Sequence, residues 1–225
     1  MSPINILISQ YSFLGREKNG LLTNTKAYFD DTFLTEKILF IGFGGTISSG
    51  YSPSQETIIP LIDSPALRSV DYLNNFGISA IEYNHIPLLA KDSRMIDDED
   101  IYKLLDVIFL CPNQKICITV GTYLGPRVAL ILFLLASELD NKKVVFTGSM
   151  LPSGFASSDA DANIWSALTL LEMYTKYFQE IPKVAIVFHG RIYDSKEEIE
   201  KLDLHPERSK DIILEYPDFT IPIIS

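Results

Sequence analysis

The sequence predicts an α/β domain built on a doubly wound, mostly parallel sheet. Three observations predict it: short continuous apolar runs, turns with glycine after several of those runs, and helical stretches between them. A short apolar run closed by glycine is typical of a strand buried on both faces, as in a parallel sheet. Strands that alternate with helices indicate a three-layer, Rossmann-like fold with helices on both faces of the sheet.

The elements follow from these patterns in chain order. The predicted strands cover 37–43, 78–89, 115–119, 143–146 and 184–188, and the predicted helices cover pieces of 58–76, then 97–110, 128–139 and 161–178. The polar stretch 48–53 is predicted to be a loop, and 196–201 a solvated helix face. The acidic run 97–100 suits the positive end of a helix dipole, so we interpret it as helix initiation rather than a metal site.

Composition excludes several classes of protein. The chain has 225 residues, 47% of them hydrophobic, and a net charge of −10. Such an acidic surface repels phosphate backbones, which argues against nucleic acid as a partner. The longest apolar run, 128–136, is too short for a bilayer, which needs about 20 residues. Cys111 and Cys117 form neither a disulfide framework nor a zinc signature, and with no signal peptide we expect a cytoplasmic protein.

Hydroxyl residues and glycines coincide at three predicted strand ends. Gly44-Gly45-Thr46, Gly121-Thr122 and Thr147-Gly148-Ser149 each close an apolar strand. In doubly wound sheets, ligands bind beyond the carboxyl ends of the strands. These turns are therefore the candidate functional site.

Local evidence at the first turn leaves several interpretations open. A dinucleotide fingerprint fits poorly, because its third glycine falls on Ile47. A Thr46 hydroxyl on a glycine turn suits a nucleophile, with Tyr51 within reach, but a helix N-cap uses the same hydroxyl equally well. Lys142 is able to lower the pKa of a neighbour, although on local evidence a solvated turn lysine is favoured. His189 closes a strand, and a hydrogen-bonded structural role is favoured over a functional one.

Four stretches together resemble the bacterial-type asparaginases, in particular their larger N-terminal domain. They are Phe40-Ile41-Gly42-Phe43-Gly44-Gly45-Thr46-Ile47 with Gly50-Tyr51, Asp92-Ser93-Arg94-Met95, Ile118-Thr119-Val120-Gly121-Thr122, and Lys142 through Pro152 with Ser158-Asp159 and Asn163. All four occur in the family's order. The resemblance spans about 37–194.

The resemblance implies a role for each matched position. Thr46 would attack a side-chain amide carbonyl, Tyr51 would polarise or deprotonate it, and Thr122 with Lys142 would form the second catalytic group. Substrate-binding positions would be Asp92, Ser93, Gly45, Gly121 and Tyr123. The reaction would be a two-step hydrolysis of a small-molecule amide that releases ammonia, without cofactor or metal. A homo-oligomer would be in keeping with the family.

The sequence also departs from the family. Tyr123 and Leu124 stand where the family has Asp and Thr, and a phenol carries no fixed negative charge near neutral pH, since its reference pKa is about 10. The turn after Ser93 is one residue short. Residues 195–225 are too short for the family's smaller C-terminal domain, so we expect 37–225 to be the N-terminal-like domain, that second domain to be absent, and 1–36 to be an N-terminal extension.

Two hypotheses from different classes follow. The first is an asparaginase-like amidohydrolase with a threonine nucleophile. Tyr123, at the position of the family's Asp, argues against free asparagine as a well-bound substrate. The second is a catalytically degenerate relative that binds a ligand or a protein without turnover. A nucleotide-binding domain, supported only by glycines, ranks third.

Overall fold

The chain folds around one six-stranded sheet with helices on both faces. The structure is a computed structural model, and it describes residues 36–62, 64–176 and 183–202. The strand order is β4-β1-β5-β6-β7-β8, and every pairing is parallel except that of β7 with β8. The predicted mostly parallel, doubly wound fold is confirmed. The predicted N-terminal extension, 1–36, and residues 203–225 lie almost wholly outside the described residues.

The elements have the following bounds. The strands are β1 Ile38–Phe43, β2 Ser49–Ser52, β3 Thr57–Pro60, β4 Tyr83–Leu89, β5 Lys115–Val120, β6 Lys143–Thr147, β7 Val184–Phe188 and β8 Arg191–Tyr193. The α-helices are α1 Arg68–Asn75, α2 Asp98–Leu110, α3 Gly125–Leu134, α4 Ala160–Lys176 and α5 Lys196–Glu200. Short 3-10 helices cover Thr46–Ser48, Pro65–Leu67, Ser93–Met95 and Ala136–Leu139.

Alternate residues of the central strands supply two separate cores. From β1, Leu39 and Ile41 belong to the core on the side of α2 and α3. Ile38 and Phe40 belong to the core on the side of α1 and α4. A strand that is buried on both faces is largely apolar, which explains why β1 and β7 read as unbroken apolar runs.

Two features of the fold correct the sequence analysis. The predicted loop at 48–53 is instead β2, which pairs antiparallel with β3 in a separate two-stranded hairpin. The helix expected in pieces from residue 58 begins only at Pro65, because 57–60 forms β3. β8 was not predicted. Strands outside the main core, or at its edge, need no unbroken apolar run, so their polar sequences do not reveal them.

The acidic run before α2 acts as a helix cap, as expected. Asp97 is the N-cap residue, and its carboxylate accepts a hydrogen bond of 3.0 Å from the backbone N–H of Asp100. The Asp100 carboxylate accepts in return from the N–H of Asp97, which completes a capping box. Among the helices within the described residues, none combines the length and apolar character that a bilayer crossing requires.

Replacing the N-cap should weaken the fold by a predictable amount. We expect Asp97→Ala to lower the free energy of unfolding by about 1 kcal/mol, because one backbone N–H loses its acceptor. Urea denaturation measures this. Glu99→Ala, in the same acidic run, should cost less than about 0.5 kcal/mol, since it loses only an exposed ion pair with Lys103. Equal losses from the two variants would contradict the capping role.

Candidate functional site

The carboxyl ends of β1, β5 and β6 meet at one edge of the sheet, beside the segment that follows β4. Gly45 has φ of 81°, a left-handed conformation, and its N–H donates to the carbonyl of Lys91 at 3.0 Å. The chain then turns into the 3-10 helix Thr46–Ser48. Each predicted Gly–Thr or Gly–Ser turn therefore lies at the same edge.

The strand ends approach so closely that glycine is required at the contacts. A Cβ atom on Gly45 would lie 2.3 Å from the Cα of Gly121, and one on Gly121 would lie 2.3 Å from the Cβ of Ser93. A Cβ on Gly148 would lie 2.6 Å from the carbonyl oxygen of Val120. Contacts below 3.0 Å force atoms to move. Backbone packing of Gly45 on Gly121, and of the Ser93 side chain on Gly121, therefore brings the segments that carry Thr46, Thr122 and Ser93 together.

Thr46 and Thr122 occupy different local environments. Thr46 is half-buried and begins its 3-10 helix, whose N-cap is Gly45 and has no side-chain capping bond. The alternative that the Thr46 hydroxyl serves as an N-cap is therefore wrong. Thr122 is 6% exposed and lies in a tight turn, where the carbonyl of Gly121 accepts from the N–H groups of Leu124 and Gly125. One hydroxyl residue is accessible and the other is enclosed.

The turn after β4 is organised by an arginine that the sequence analysis assigned no role. The Asp92 carboxylate accepts from the backbone N–H of Arg94 at 2.9 Å, and from Nε and Nη2 of the same guanidinium at 3.0 Å each. These hydrogen bonds lower the pKa of Asp92. Ser93 is buried against Gly121, as noted above. Asp92 and Ser93 thus share the turn but differ in their partners.

A second overlooked residue, Lys91, links this turn to α2. Its backbone carbonyl accepts from Gly45, and its Nζ lies 2.6 Å from the buried Asp100 carboxylate. The hydrogen bond to Asp100 raises the pKa of Lys91. A lysine between two polar stretches gives no sequence signal, because its significance comes from the carboxylate that the fold places beside it.

The two tyrosines of the expected site lie on different elements. Tyr51 is on β2, opposite Ile58 of β3, and is 59% exposed. Tyr123 is half-buried and follows Thr122 directly in the turn that leads to α3. Tyr51 is therefore carried by the hairpin that leaves Thr46, and Tyr123 by the rigid turn.

The structure corrects the expected pairing of Lys142 with Thr122. The parallel register of β5 and β6 aligns Lys115 with Lys143 and Thr119 with Thr147. Lys142 thus precedes the amino end of β6, whereas Thr122 follows the carboxyl end of β5. A five-residue strand separates these edges by about 16 Å. The Nζ of Lys142 donates instead to the carbonyl of Phe109 at 3.4 Å. This lysine therefore interacts with the carboxyl end of α2.

A hydrogen-bonded network around Asp159 joins β6, α4 and β7 beside the site. The Asp159 carboxylate accepts from the N–H groups of Met150 and Leu151, from Nδ2 of Asn163, and pairs with Nε2 of His189 at 2.9 Å. Asn163 also donates to the carbonyl of Gly148 and accepts from the N–H of His189. His189 therefore has the hydrogen-bonded structural role that the sequence favoured.

The electrostatics of this network have a clear direction. Burial alone would raise the pKa of Asp159, but the N–H groups of Met150 and Leu151, with the His189 ring, outweigh it and lower the pKa. The ionised carboxylate is thus the form that holds the loop after β6. Within the described residues, no group of three or more His, Cys, Asp or Glu side chains is arranged to hold a metal ion.

These features define a site of glycine-turn hydroxyls at the carboxyl edge of a doubly wound sheet, and sequence comparison identifies its class. The family profile described as "Asparaginase, N-terminal" matches residues 37–203. The chain belongs to the asparaginase family, over its N-terminal domain. No curated protein sequence matches the chain.

Solved structures of asparaginases are similar to the chain over part of their length. L-asparaginase I from Vibrio cholerae is 24% identical with a TM-score of 0.51, and covers 71% of this chain and 46% of its own. A probable cytoplasmic L-asparaginase from Campylobacter jejuni is 21% identical with a TM-score of 0.50 and the same coverages. The thermostable L-asparaginase from Thermococcus kodakarensis is 28% identical, with a TM-score of 0.48 and coverages of 69% and 45%. The chain thus spans less than half the length of these proteins.

Adding one methyl group at the strand contact should destabilise the protein. We expect Gly121→Ala to lower the free energy of unfolding by about 1–3 kcal/mol, because the new Cβ overlaps Ser93 and the packed backbone has little room to relax. Gly154→Ala is the matched control, since a Cβ there meets nothing within 4 Å. Urea denaturation of both variants measures the difference. Equal stability of the two would show that the strand ends do not pack this closely.

The Asp159 network should make stability depend on pH in the acid range. The pKa of Asp159 is lowered in the folded state. Its contribution to the free energy of unfolding is therefore complete above the unfolded pKa of about 3.9, and it is lost as pH falls through the lower folded pKa. We expect Asp159→Asn to be less stable than the wild type at pH 7, and this difference to shrink towards pH 3. Chemical denaturation across that range tests it, with Asp161→Asn, an exposed carboxylate in the same helix turn, as control.

Proposed function

We propose that this chain is an amidohydrolase in which the Thr46 hydroxyl attacks the carbonyl carbon of a primary amide. One observation carries the proposal: the accessible Thr46 stands on a glycine turn whose backbone is packed directly against the turn of Thr122. Acyl transfer needs a nucleophile and hydrogen-bond donors that stabilise an oxyanion. A hydroxyl on such a turn, beside backbone N–H groups, supplies both. Membership of the asparaginase family supports the same reaction class.

The first half of the proposed reaction forms an acyl-enzyme. The Thr46 Oγ bonds to the carbonyl carbon and gives up its proton, and the carbon–nitrogen bond breaks as the nitrogen gains that proton and leaves as ammonia. Tyr51 is five residues further along, on the hairpin, and its hydroxyl is suited to relay the proton. The backbone N–H groups of the two Gly–Thr turns would stabilise the negative charge on the carbonyl oxygen.

The second half regenerates the enzyme. Water attacks the ester carbon, the bond to Thr46 Oγ breaks, and the threonine recovers a proton as the carboxylic acid leaves. Thr122, at the adjacent strand end, would orient this water or the substrate. The Ser93 side chain packs against the Gly121 backbone beside this turn.

A second function, ligand binding without turnover, is favoured by the position of Lys142. The resemblance assigned this lysine to Thr122, yet its Nζ donates to the backbone carbonyl of Phe109 at the opposite edge of the sheet. Lys91, whose backbone carbonyl accepts from the N–H of Gly45, has its Nζ paired with Asp100. A site with weak proton transfer retains affinity while turning over slowly, because binding and chemistry use different groups.

The nucleophile assignment predicts a specific loss of activity. We expect Thr46→Ala to abolish ammonia release from an amide panel, while Thr46→Ser retains measurable turnover because it keeps a hydroxyl. Single-turnover trapping of the acyl-enzyme, followed by proteolysis and mass spectrometry of the peptides, locates the covalent bond. Ammonia release by Thr46→Ala equal to that of the wild type would contradict the proposal.

A companion variant separates the hydrolase from its rival. Lys142→Met should leave ammonia release unchanged, because about 16 Å of strand lies between this lysine and Thr122. If no variant and no wild-type protein releases ammonia from any amide, while a ligand raises the midpoint of thermal unfolding, the binding function stands instead.

A further inference from the structure

Exposed apolar side chains lie on the segments that adjoin the candidate site. We call this set the apolar rim. Each of its six members is at least 40% exposed, and they are Tyr51, Ile58, Met95, Met150, Leu151 and Phe155. They lie on three separate segments: the β2–β3 hairpin, the turn after β4, and the loop between β6 and α4. Contiguous exposed apolar groups mark binding surfaces more often than isolated ones do.

Direct contacts fix these segments beside the two threonines. The hairpin follows Thr46 without interruption, and Ser153 Oγ of the β6–α4 loop donates to the carbonyl of Ile47 at 2.7 Å. The start of that loop is adjacent to Thr122, because a Cβ on Gly148 would lie 3.3 Å from its Cγ2. Met95 is two residues beyond Ser93, which packs on Gly121. The rim therefore belongs to the same surface as the reacting groups.

Three carboxylates near this site, within the part of the chain that the structure describes, are already engaged within the protein. Asp92 accepts three hydrogen bonds from Arg94, and Asp100 is paired with Lys91 at 2.6 Å. Asp159 holds the loop after β6 through two backbone N–H groups, Asn163 and His189. A substrate ammonium group would have to share a carboxylate with these partners, which weakens the ion pair that would offset its desolvation.

From these two observations we infer that the site takes a primary amide with an uncharged, apolar body rather than a zwitterionic amino acid. This inference rests on the proposed hydrolase function. The amide group lies at Thr46, and the apolar body covers part of the rim. Burying apolar surface supplies the binding free energy that an ion pair supplies for a charged substrate. Tyr123, which follows Thr122 and carries no fixed charge near neutral pH, suits the same ligand.

A second exposed apolar group provides a built-in control. Tyr72, Phe76 and Ile78 are also exposed, but they lie at the carboxyl end of α1 and just beyond it, before the chain enters β4 at its amino end. This places them at the opposite edge of the sheet from Thr46. Phe76 and Phe155 are thus exposed phenylalanines at opposite edges of one fold.

The test compares kcat/KM for ammonia release from phenylacetamide, acetamide and asparagine by the full chain. Phenylacetamide adds an apolar body to the amide, acetamide has almost none, and asparagine adds two charges. We expect phenylacetamide to exceed both others by about tenfold or more, because each buried apolar group adds a factor of that order. A preference for asparagine over phenylacetamide would overturn the inference while leaving the hydrolase proposal intact.

The variants locate the effect on the rim. Phe155→Ser should lower kcat/KM for phenylacetamide about tenfold, mainly through KM, and leave acetamide almost unchanged. Phe76→Ser should change neither substrate. If Phe155→Ser lowered kcat/KM equally for acetamide and phenylacetamide, the effect would be generally structural, and the role of the rim in specificity would be overturned.

Binding measurements keep the inference testable if no amide is hydrolysed. In that case the hydrolase proposal fails, but phenylacetamide should still raise the midpoint of thermal unfolding more than asparagine does, and less so in Phe155→Ser. No stabilisation by phenylacetamide would then overturn the inference. Sedimentation velocity tests whether the rim is instead an interface between copies of the chain. A dimer that dissociates in Phe155→Ser but not in Phe76→Ser would show such an interface and would also overturn the inference.

Discussion

The direct packing of Gly45 against Gly121, and of Gly121 against Ser93, is the contact on which the site depends. A Cβ at either glycine would come within 2.3 Å of its neighbour, so no other residue type allows the strand ends to approach this closely. The contact sets the separation of Thr46 from Thr122. The same segment also holds the turn after β4, because the N–H of Gly45 donates to the backbone carbonyl of Lys91. Backbone packing, rather than a side-chain network, therefore positions the hydroxyls.

The charged groups near the hydroxyls stabilise the loops that surround them. Asp92 with Arg94 holds the turn after β4, Lys91 with Asp100 ties that turn to α2, and Asp159 anchors the loop after β6. Each pair satisfies its own charges locally, which is the arrangement that minimises the cost of partial burial. The consequence for chemistry is that these charged groups already have partners, so hydroxyls, backbone groups and apolar side chains are the groups left to contact a ligand. Such a surface favours a neutral ligand.

The position of Lys142 shows how a matched motif can separate in space. In the sequence it directly precedes the strand that ends in Thr147-Gly148-Ser149, and the family resemblance implied a catalytic role for it. A parallel strand, however, carries its first and last residues to opposite edges of the sheet. Five residues of β6 are enough to remove the lysine from Thr122 and bring it to the carbonyl of Phe109. Proton transfer at Thr46 would therefore rely on Tyr51 and on water.

The sequence by itself determined the fold class, the buried strands β1, β5, β6 and β7, the cap of α2 and the three glycine turns, because burial on both faces and tight turns restrict residue type locally. It did not reveal the hairpin or β8, whose partly exposed strands tolerate polar residues. Only the tertiary structure decided that Lys142 is remote, that Arg94 and Lys91 neutralise Asp92 and Asp100, and that His189 meets Asp159 across 30 residues. These pairings join residues through space, and a linear pattern carries no information about them.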